Sequence, residues 1–219
     1  MSSKIQLYSL GTPNGQKISV ALEEMGLPYE AHRIDFSKDQ QHSPEFLAIN
    51  PNGKIPAIVD PFSADGKPLT VFESGAILIY LAEKSGKFLS TNPRLRSETL
   101  QWVFFQVGGV GPMFGQFGHF FKHAVDKCDH PYPKKRYTDE TRRLLAVLDE
   151  HLQGKDFLVG GEYSIADMAT VPWVDALSTF YNAGEALSLK DFKNVNAWTE
   201  RVNKRPKTAA GMKVLAVQQ

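Results

Sequence analysis

Polar and apolar residues alternate over residues 4–9, and the period then changes to that of a helix. Such alternation is typical of a half-buried strand. Ile18, Leu22 and Met25 recur at helical spacing, and Gly26 ends the helix. The chain is therefore predicted to open with a strand and a helix that are joined by a short turn.

Five further elements are predicted before residue 87, and they give the order β-α-β-α-β-β-α. They are a strand over 29–36, a short helical piece over 44–50, strands over 55–60 and 69–72, and a helix over 73–86. This order is that of a thioredoxin-like α/β domain.

The rest of the chain has helical periodicity almost throughout. Helices are predicted over 94–123, 134–153, 165–178, 191–204 and 207–215. The polar segment 87–94, broken by Pro93, is the predicted linker. We therefore predict a thioredoxin-like domain over 1–86 and an all-α helical bundle domain over 94–219.

Composition and charge exclude several classes of function. The 219 residues are 42% hydrophobic, which is enough for a real core. With 25 basic and 24 acidic residues the chain has no global field for nucleic acid or an anionic membrane. The N-terminal MSSKIQLYSL lacks a signal-peptide core, and the one cysteine, Cys128, cannot form an internal disulfide. We expect a cytoplasmic protein that binds neither nucleic acid nor membranes.

The turn TPNG, residues 12–15, raises the first chemical question because a helix begins directly after it. The first N–H groups of a helix have no partner within it, and they lie at the positive end of the helix dipole. Such a turn either only connects the strand to the helix or forms an anion-binding site. The pattern alone leaves both interpretations open.

Two later motifs of the first domain have the same ambiguity. In NGKIPAIVD, residues 52–60, a cis Pro56 would leave the backbone of Ile55 to an extended ligand, and a trans proline is the alternative. In FESGAILIYL, residues 72–81, Ser74 begins a helix and either binds a carboxylate or caps the helix. Glu73 before it could pair with an ammonium group. The two motifs together, in this order and spacing, favour a ligand site.

The chain resembles the cytosolic glutathione transferases over essentially its full length. The resemblance rests on NPNGKIPAIVD, on FESGAILIYLAEKSG and, in the helical half, on YSIADMATVPWVDA. It is closest to the bacterial Nu class, through TPNGQKISVALEE and LQWVFFQVGGVGPMFGQ. The resemblance implies a homodimer that binds glutathione and reduces small-molecule disulfides with it. Reduction of organic hydroperoxides and weak conjugation of electrophiles are the implied side activities.

The resemblance also implies roles for individual residues. It implies that Thr12 and Asn14 are catalytic residues at the sulfur of one bound glutathione. Gln41 and Lys54 would lie at its glycine end, and Ile55, before a cis Pro56, at its cysteinyl unit. Glu73 and Ser74 would bind the γ-glutamyl ammonium and carboxylate. Arg136 is expected near a second glutathione molecule. The expected substrate pocket consists of Gln106, Met113, Gln116 and Phe117.

The TPNG turn can be tested as a holder of the thiolate. A thiol of pKa about 8.5 needs about 2 kcal/mol of preference for its anion to titrate near pH 7. A hydrogen bond to a charged group contributes about 1.5–3 kcal/mol, and a helix N-terminus adds about 0.3–1 kcal/mol. Thr12, Asn14 and the helix end therefore suffice without a general base. The sequence has no cysteine where glutaredoxin-like transferases place one, so bound glutathione itself is the expected nucleophile, and a second glutathione would release the product.

Other chemically suggestive residues have structural explanations. Tyr8 ends the first strand, where tyrosines are common core residues, and we expect no catalytic role for it. His119 and His123 lie one helical turn apart and precede Cys128 and His130. The HExxH glutamate is absent and the spacing is not that of the usual zinc sites, so no metal is expected.

Two motifs of the helical half are also interpreted as structural. The glycines of VGGVGP, residues 107–112, lie in a helical region rather than after a strand, so they do not form a dinucleotide fingerprint. They are expected to permit a close helix approach or a bend. Ser164 and Asp167 have the spacing of a capping box, with which a buried helix would start.

The main alternative is a non-catalytic glutathione-binding or regulatory protein of the same fold. Such a protein could lose Thr12 and Asn14 while keeping Glu73 and Ser74. Both pairs are present here, which favours an enzyme. A third interpretation is a dehalogenase- or isomerase-type transferase with a narrow substrate, and residues 106–123 would decide it.

Overall fold

The computed structural model describes residues 4–216. In it the chain forms two compact units. The first consists of residues up to 90 together with the segment that begins at Arg205, and the second of residues 91–204. Among the described residues no helix is both long and apolar enough to cross a membrane.

The first unit has the predicted order of strands and helices. Its elements are β1 (Ile5–Ser9), α1 (Pro13–Met25), β2 (Tyr29–Arg33), α2 (Pro44–Leu47), β3 (Ala57–Asp60), β4 (Leu69–Phe72) and α3 (Ser74–Ser85). The strands form one sheet in the order β2-β1-β3-β4. β1 pairs with β2 in parallel, whereas β3 is antiparallel to both β1 and β4. The predicted thioredoxin-like architecture is confirmed.

The ends of α1 explain why this helix can position a site. Thr12 is its N-cap, Pro13 occupies the first helical position, and Gly26 ends it in the left-handed conformation at φ 71°. Between these ends Ile18 and Leu22 are completely buried, as the helical period predicts. Thr12 and Pro13 therefore fix the residue at which α1 begins, shortly after the end of β1.

The C-terminal segment differs from the predicted domain division. Helix α9 (Pro206–Gly211) packs on α1 in the first unit, whereas we predicted that residues up to 219 belong to the helical domain. The Arg205 guanidinium donates to both carboxylate oxygens of Glu24 at 2.9 and 2.8 Å, and Thr208 donates to the same carboxylate at 2.7 Å. The Ser19 hydroxyl donates to the carbonyl oxygen of Gly211 at 2.8 Å. This ion pair and these hydrogen bonds connect residues that lie far apart in sequence.

The second unit is helical. Its helices are α4 (Pro93–Phe105), α5 (Gly111–Gly118), α6 (Pro131–His151), α7 (Ile165–Thr179) and α8 (Lys193–Asn203). The single helix predicted over 94–123 is interrupted by π-helical turns at Gln106–Val110 and His119–His123. A Cβ at Gly118 would lie 2.1 Å from the ring of Tyr181, so the close approach of this ring to α5 requires glycine here.

The predicted capping box at the start of α7 is confirmed. Asp167 accepts a hydrogen bond from the backbone N–H of Ser164 at 2.9 Å, and the Ser164 hydroxyl accepts one from the backbone N–H of Ala166. The other carboxylate oxygen of Asp167 accepts from the backbone of Leu158 and from the Trp198 indole. Burial raises the pKa of Asp167, while these donors act in the opposite direction. The residue therefore organises the core of the second unit.

Candidate functional site

A cavity of about 200 Å³ in the first unit brings together three separate stretches of chain. Its lining residues come from the starts of α1 and α3 and from the loop before β3. They are Asn14, Asn50, Asn52, Lys54, Ile55, Pro56, Glu73 and Ser74. Because two helix N-termini contribute to the lining, the cavity suits a ligand with negatively charged groups.

The start of α1 supplies Asn14 to this cavity. The Thr12 hydroxyl oxygen accepts a hydrogen bond from the backbone N–H of Gly15 at 3.4 Å and so caps the helix. Gly15 itself is required, because a Cβ there would lie 2.0 Å from the carbonyl oxygen of Leu10. Thr12 is half-buried and does not line the cavity. Its predicted position beside a glutathione sulfur stays a prediction.

The loop before β3 is organised by Asn50, which the sequence analysis missed. The buried Asn50 side chain donates to the carbonyl oxygen of Lys54 at 2.6 Å and accepts from the backbone N–H of Asn52 at 3.0 Å. The peptide bond between Ile55 and Pro56 is cis, as predicted. Asparagine is common in turns, so NPNGK gave no sign that two of its asparagines line a cavity.

The start of α3 supplies Glu73 and Ser74. Glu73 has φ 68° and ψ 115°, a backbone conformation that L residues rarely adopt, and its carboxylate makes no capping hydrogen bond to α3. Such conformations cluster at binding and active sites. The Ser74 hydroxyl is buried and accepts a hydrogen bond from the Lys17 ammonium at 3.1 Å. The Glu73 carboxylate therefore does not cap α3, and the predicted binding of a carboxylate by Ser74 stays a prediction.

Lys17 is a further residue that sequence reasoning missed. It is 1% exposed, and desolvation by burial lowers the pKa of its ammonium to about 7, although the nearby charge of Glu73 acts to raise it. Lysine is rarely buried so completely. A signal was present, because Lys17 stands three and four residues before Val20 and Ala21 on the face of α1 that is buried.

Gln41 and Tyr8 do not line the cavity. The Gln41 amide donates to Asp39 at 2.8 Å, while its side-chain oxygen is buried and has no hydrogen-bond partner among residues 4–216. Its backbone oxygen would lie 3.1 Å from a Cβ at Gly53, so Gln41 borders the loop that carries Lys54. Tyr8 stacks on His32 at 4.8 Å and packs against a buried cluster, as expected of a strand residue.

The predicted residues of the second unit differ in accessibility. Gln106 and Phe117 are buried, and Phe117 stacks on Phe121 with the ring centroids 4.9 Å apart. Met113 is half-buried and Gln116 is exposed. Their shared role in a substrate pocket stays a prediction, and burial favours a packing role for the first two.

Arg136 lies on the exposed face of α6. It lines a surface depression of about 430 Å³ together with Tyr132, Lys135, Asp139, Glu140 and Arg143. Arg143 pairs with Glu140, and Lys135 pairs with Asp139. Arg136 is therefore accessible to an anionic ligand, and its role at a second glutathione stays a prediction.

The histidines near Cys128 contact aromatic rings. The ring of His119 packs edge-on against Phe120, and His123 packs against Phe180. Within the described range 4–216, no group of three or more His, Cys, Asp or Glu residues is placed to hold a metal ion.

Comparison with known protein families gives the site its context. Residues 3–83 match the model of the glutathione S-transferase N-terminal domain, and residues 112–206 match that of the C-terminal domain. The chain belongs to the glutathione S-transferase family. The cavity lies entirely within the part of the chain that matches the N-terminal domain.

Individual relatives are similar along nearly the whole chain. The disulfide-bond oxidoreductase YfcG of Escherichia coli strain K12 is 49% identical over 95% of this chain and 94% of its own length. A glutathione transferase of Pseudomonas putida, solved with one glutathione disulfide bound per subunit, is 50% identical with a TM-score of 0.94 over 97% of this chain and 92% of its own. A family member from Pseudomonas fluorescens, solved with two glutathione bound, is 51% identical with a TM-score of 0.95 over 96% and 93%.

Proposed function

We propose that this protein is a glutathione-dependent disulfide-bond reductase that binds glutathione in the cavity of its first unit. The observation that carries the proposal is the convergence of Asn14, Lys54, Ile55, Pro56, Glu73 and Ser74 on that single cavity. The resemblance to the glutathione transferases implies a role at glutathione for each of these residues. The names and bound ligands of the relatives support the same activity.

The polar groups of the cavity match the charges along glutathione. The Ser74 hydroxyl and the first N–H groups of α3 would bind the γ-glutamyl carboxylate, and the Glu73 carboxylate would pair with the neighbouring ammonium. The backbone of Ile55 would pair with the cysteinyl unit. Lys54 would bind the carboxylate at the glycine end, and Gln41 would border this end from beside the loop that carries Lys54. This orientation places the sulfur near the start of α1.

Two side chains at the start of α1 would stabilise the thiolate. A hydroxyl has one donor and two acceptor positions. Since the Thr12 oxygen accepts from the Gly15 N–H, its own proton remains for a hydrogen bond to sulfur. The amide of Asn14 adds a second donor from within the cavity. Together with the positive end of α1, these donors lower the thiol pKa without a general base.

The reaction then consists of two thiol–disulfide exchanges. The bound thiolate attacks one sulfur of the substrate disulfide, which forms a mixed disulfide with glutathione and releases the other half as a thiolate. The thiolate of a second glutathione attacks the glutathione sulfur of this mixed disulfide, which gives glutathione disulfide and the second product thiolate. Arg136 would bind a carboxylate of this second glutathione. Cys128 takes no part in either exchange.

We place the substrate pocket at Gln106, Met113, Gln116 and Phe117, of which Met113 and Gln116 are accessible and the other two are buried. The protein is proposed to be a cytoplasmic homodimer that needs no metal. Organic hydroperoxide reduction and weak conjugation of electrophiles are side activities, because both need only the bound thiolate.

The direct test is glutathione-dependent reduction of hydroxyethyl disulfide by the parent protein and by Asn14→Ala. We expect the variant to lose about tenfold or more in kcat/KM while it still binds glutathione, since the lost donor acts on the thiolate. Isothermal titration calorimetry measures the binding. A parent that binds glutathione tightly without turnover would favour the non-catalytic alternative. A mass adduct of one glutathione on Cys128 during turnover would contradict the proposed exchange.

A further inference from the structure

A buried lysine lies directly behind the residue proposed to hold the γ-glutamyl carboxylate. Lys17 is 1% exposed, its ammonium donates to the Ser74 hydroxyl at 3.1 Å, and Ser74 in turn lines the cavity. The charge of Glu73 also acts on Lys17, and Glu73 lines the same cavity. The lysine therefore contacts the ligand site through Ser74 while remaining inside the fold.

The protonation state of Lys17 fixes the direction of this hydrogen bond. An ammonium group has only donors, so a charged Lys17 makes the Ser74 oxygen an acceptor and leaves the single Ser74 proton for another partner. A neutral amine has a lone pair and can accept that proton instead. Only the charged form thus guarantees that Ser74 donates towards the cavity.

We propose that Lys17 is a positioning residue for the γ-glutamyl carboxylate, and that its protonation is coupled to binding of that carboxylate. This inference rests on the proposed binding of glutathione in the cavity. A carboxylate bound at Ser74 is a nearby negative charge and favours the ammonium form of Lys17. Binding then draws a proton from solvent whenever Lys17 is neutral in the free protein.

Other charged groups around α1 do not replace Glu73 in this coupling. The helices packed against α1 and their flanks carry Glu73, Glu83, Lys84, Lys87, Arg205 and Lys207, and α1 itself carries Glu23 and Glu24. Arg205 is paired with Glu24, and Lys84 with Asp60. The charge of Glu73 acts to raise the pKa of Lys17, against the desolvation that lowers it.

The direction of the pH dependence follows from the lowered pKa of Lys17, about 7. Well below that pH the lysine is charged with or without ligand, and binding takes up no proton. At about pH 8 it is about one tenth protonated in the free protein, so binding takes up most of one proton. Affinity therefore falls as pH rises above about 7.

The experiment is calorimetric titration with S-methylglutathione, whose sulfur has no proton to release. Titrations in two buffers of different ionisation enthalpy give the number of protons taken up. For the parent we expect most of one proton at about pH 8 and close to none at about pH 6. We also expect about a tenfold loss of affinity between about pH 6.5 and 8.5.

Lys17→Met tests the assignment, because methionine has a similar length and removes a buried charge. This variant should take up clearly less proton than the parent and show a flatter affinity profile between the same pH values. Lys87→Met is the matched control, since Lys87 donates to the carbonyl oxygen of Met25 at the other end of α1, and it should keep the parent's behaviour. In a Ser74→Ala background Lys17→Met should change affinity much less than in the parent.

The outcomes separate this inference from the proposed function. A parent that does not bind S-methylglutathione contradicts the binding proposal itself. A parent that binds it without proton uptake at about pH 8 overturns the role of Lys17, and so does full uptake by a folded Lys17→Met. If circular dichroism shows that Lys17→Met is unfolded, the uptake by the parent, which needs no variant, still decides.

Discussion

At the scale of single residues, Glu73 joins an unfavourable backbone conformation to an exposed carboxylate. Its φ of 68° with ψ of 115° lies outside the regions that L residues readily adopt. The residue after it, Ser74, is buried and fixed by Lys17. This backbone conformation directs the Glu73 side chain to the cavity, and the strain at Glu73 lowers the stability of the fold.

Glu73→Gly should therefore change stability and binding in opposite directions. Glycine adopts the observed φ without a Cβ clash, so we expect the free energy of unfolding to rise by about 1 kcal/mol. Glutathione affinity should fall about tenfold, because the ammonium loses its partner. Urea denaturation measures the first effect and calorimetry the second.

Glu73→Gln is the matched control for this pair of effects. It keeps the Cβ and the side-chain length but removes the charge, so it should lose affinity without the gain in stability. Equal stability of the Gly and Gln variants would show that the backbone at Glu73 is unstrained. Parent-like affinity in both variants would remove Glu73 from the ligand site.

At the scale of elements, the docking of α9 determines how firmly α1 is held. Gly211 lies against α1 so closely that a Cβ there would be 2.5 Å from the Cα of Val20. Burial alone would raise the pKa of Glu24, but hydrogen bonds from Arg205 and Thr208 lower it. The stabilisation from this carboxylate is present above its unfolded pKa and is lost as pH falls through its lower folded pKa.

Gly211→Ala should loosen this contact. The added methyl group meets backbone rather than a flexible side chain, so we expect the free energy of unfolding to fall by about 2 kcal/mol. Urea denaturation followed by circular dichroism measures the loss. Gly184→Ala is the control, because a Cβ at Gly184 has no neighbour within 4 Å, and it should stay close to the parent. Equal stability of the two variants would contradict tight docking of α9.

The elements differ in how well a local pattern could predict them. β4 was predicted with its observed bounds because a turn-rich segment precedes it, and α3 was predicted within one residue at each end because a glycine closes it. The docking of α9 could not be predicted, since it depends on pairs such as Glu24 and Arg205 that no local period reveals. The π-helical turns were missed because helical periodicity does not reveal where the backbone hydrogen bonds are shifted by one residue.

The candidate site was predictable where its residues lie within a recognisable motif. Ser74 and Asn14 are examples, since each stands at the start of a helix, in a motif that resembles those of the glutathione transferases, and each lines the cavity. Asn50 and Lys17 were missed for physical reasons: one acts by organising a loop, and the other is identified only by its burial. Burial of a charged residue is a tertiary property, which the sequence expresses only as a polar position on an otherwise apolar helix face.

At the scale of the whole molecule, one edge of the sheet is left apolar. β4 is an edge strand, and its Leu69 and Phe72 are 40% and 38% exposed, while Phe62 in the preceding loop is 55% exposed. Exposed apolar groups on an edge strand favour association with another chain. This surface is the physical support for the proposed homodimer.

Phe62→Glu should therefore convert a dimer into a monomer. A charge in place of a large apolar side chain cannot be buried without a partner, so the dissociation constant should rise about a hundredfold or more. Analytical ultracentrifugation at micromolar concentration distinguishes the two masses. Phe36→Glu is the control, because Phe36 is 46% exposed but follows β2, the strand at the opposite edge of the sheet. A parent that sediments as a single chain would contradict the proposed homodimer. A dimer that survives Phe62→Glu but dissociates with Phe36→Glu would place the interface away from β4.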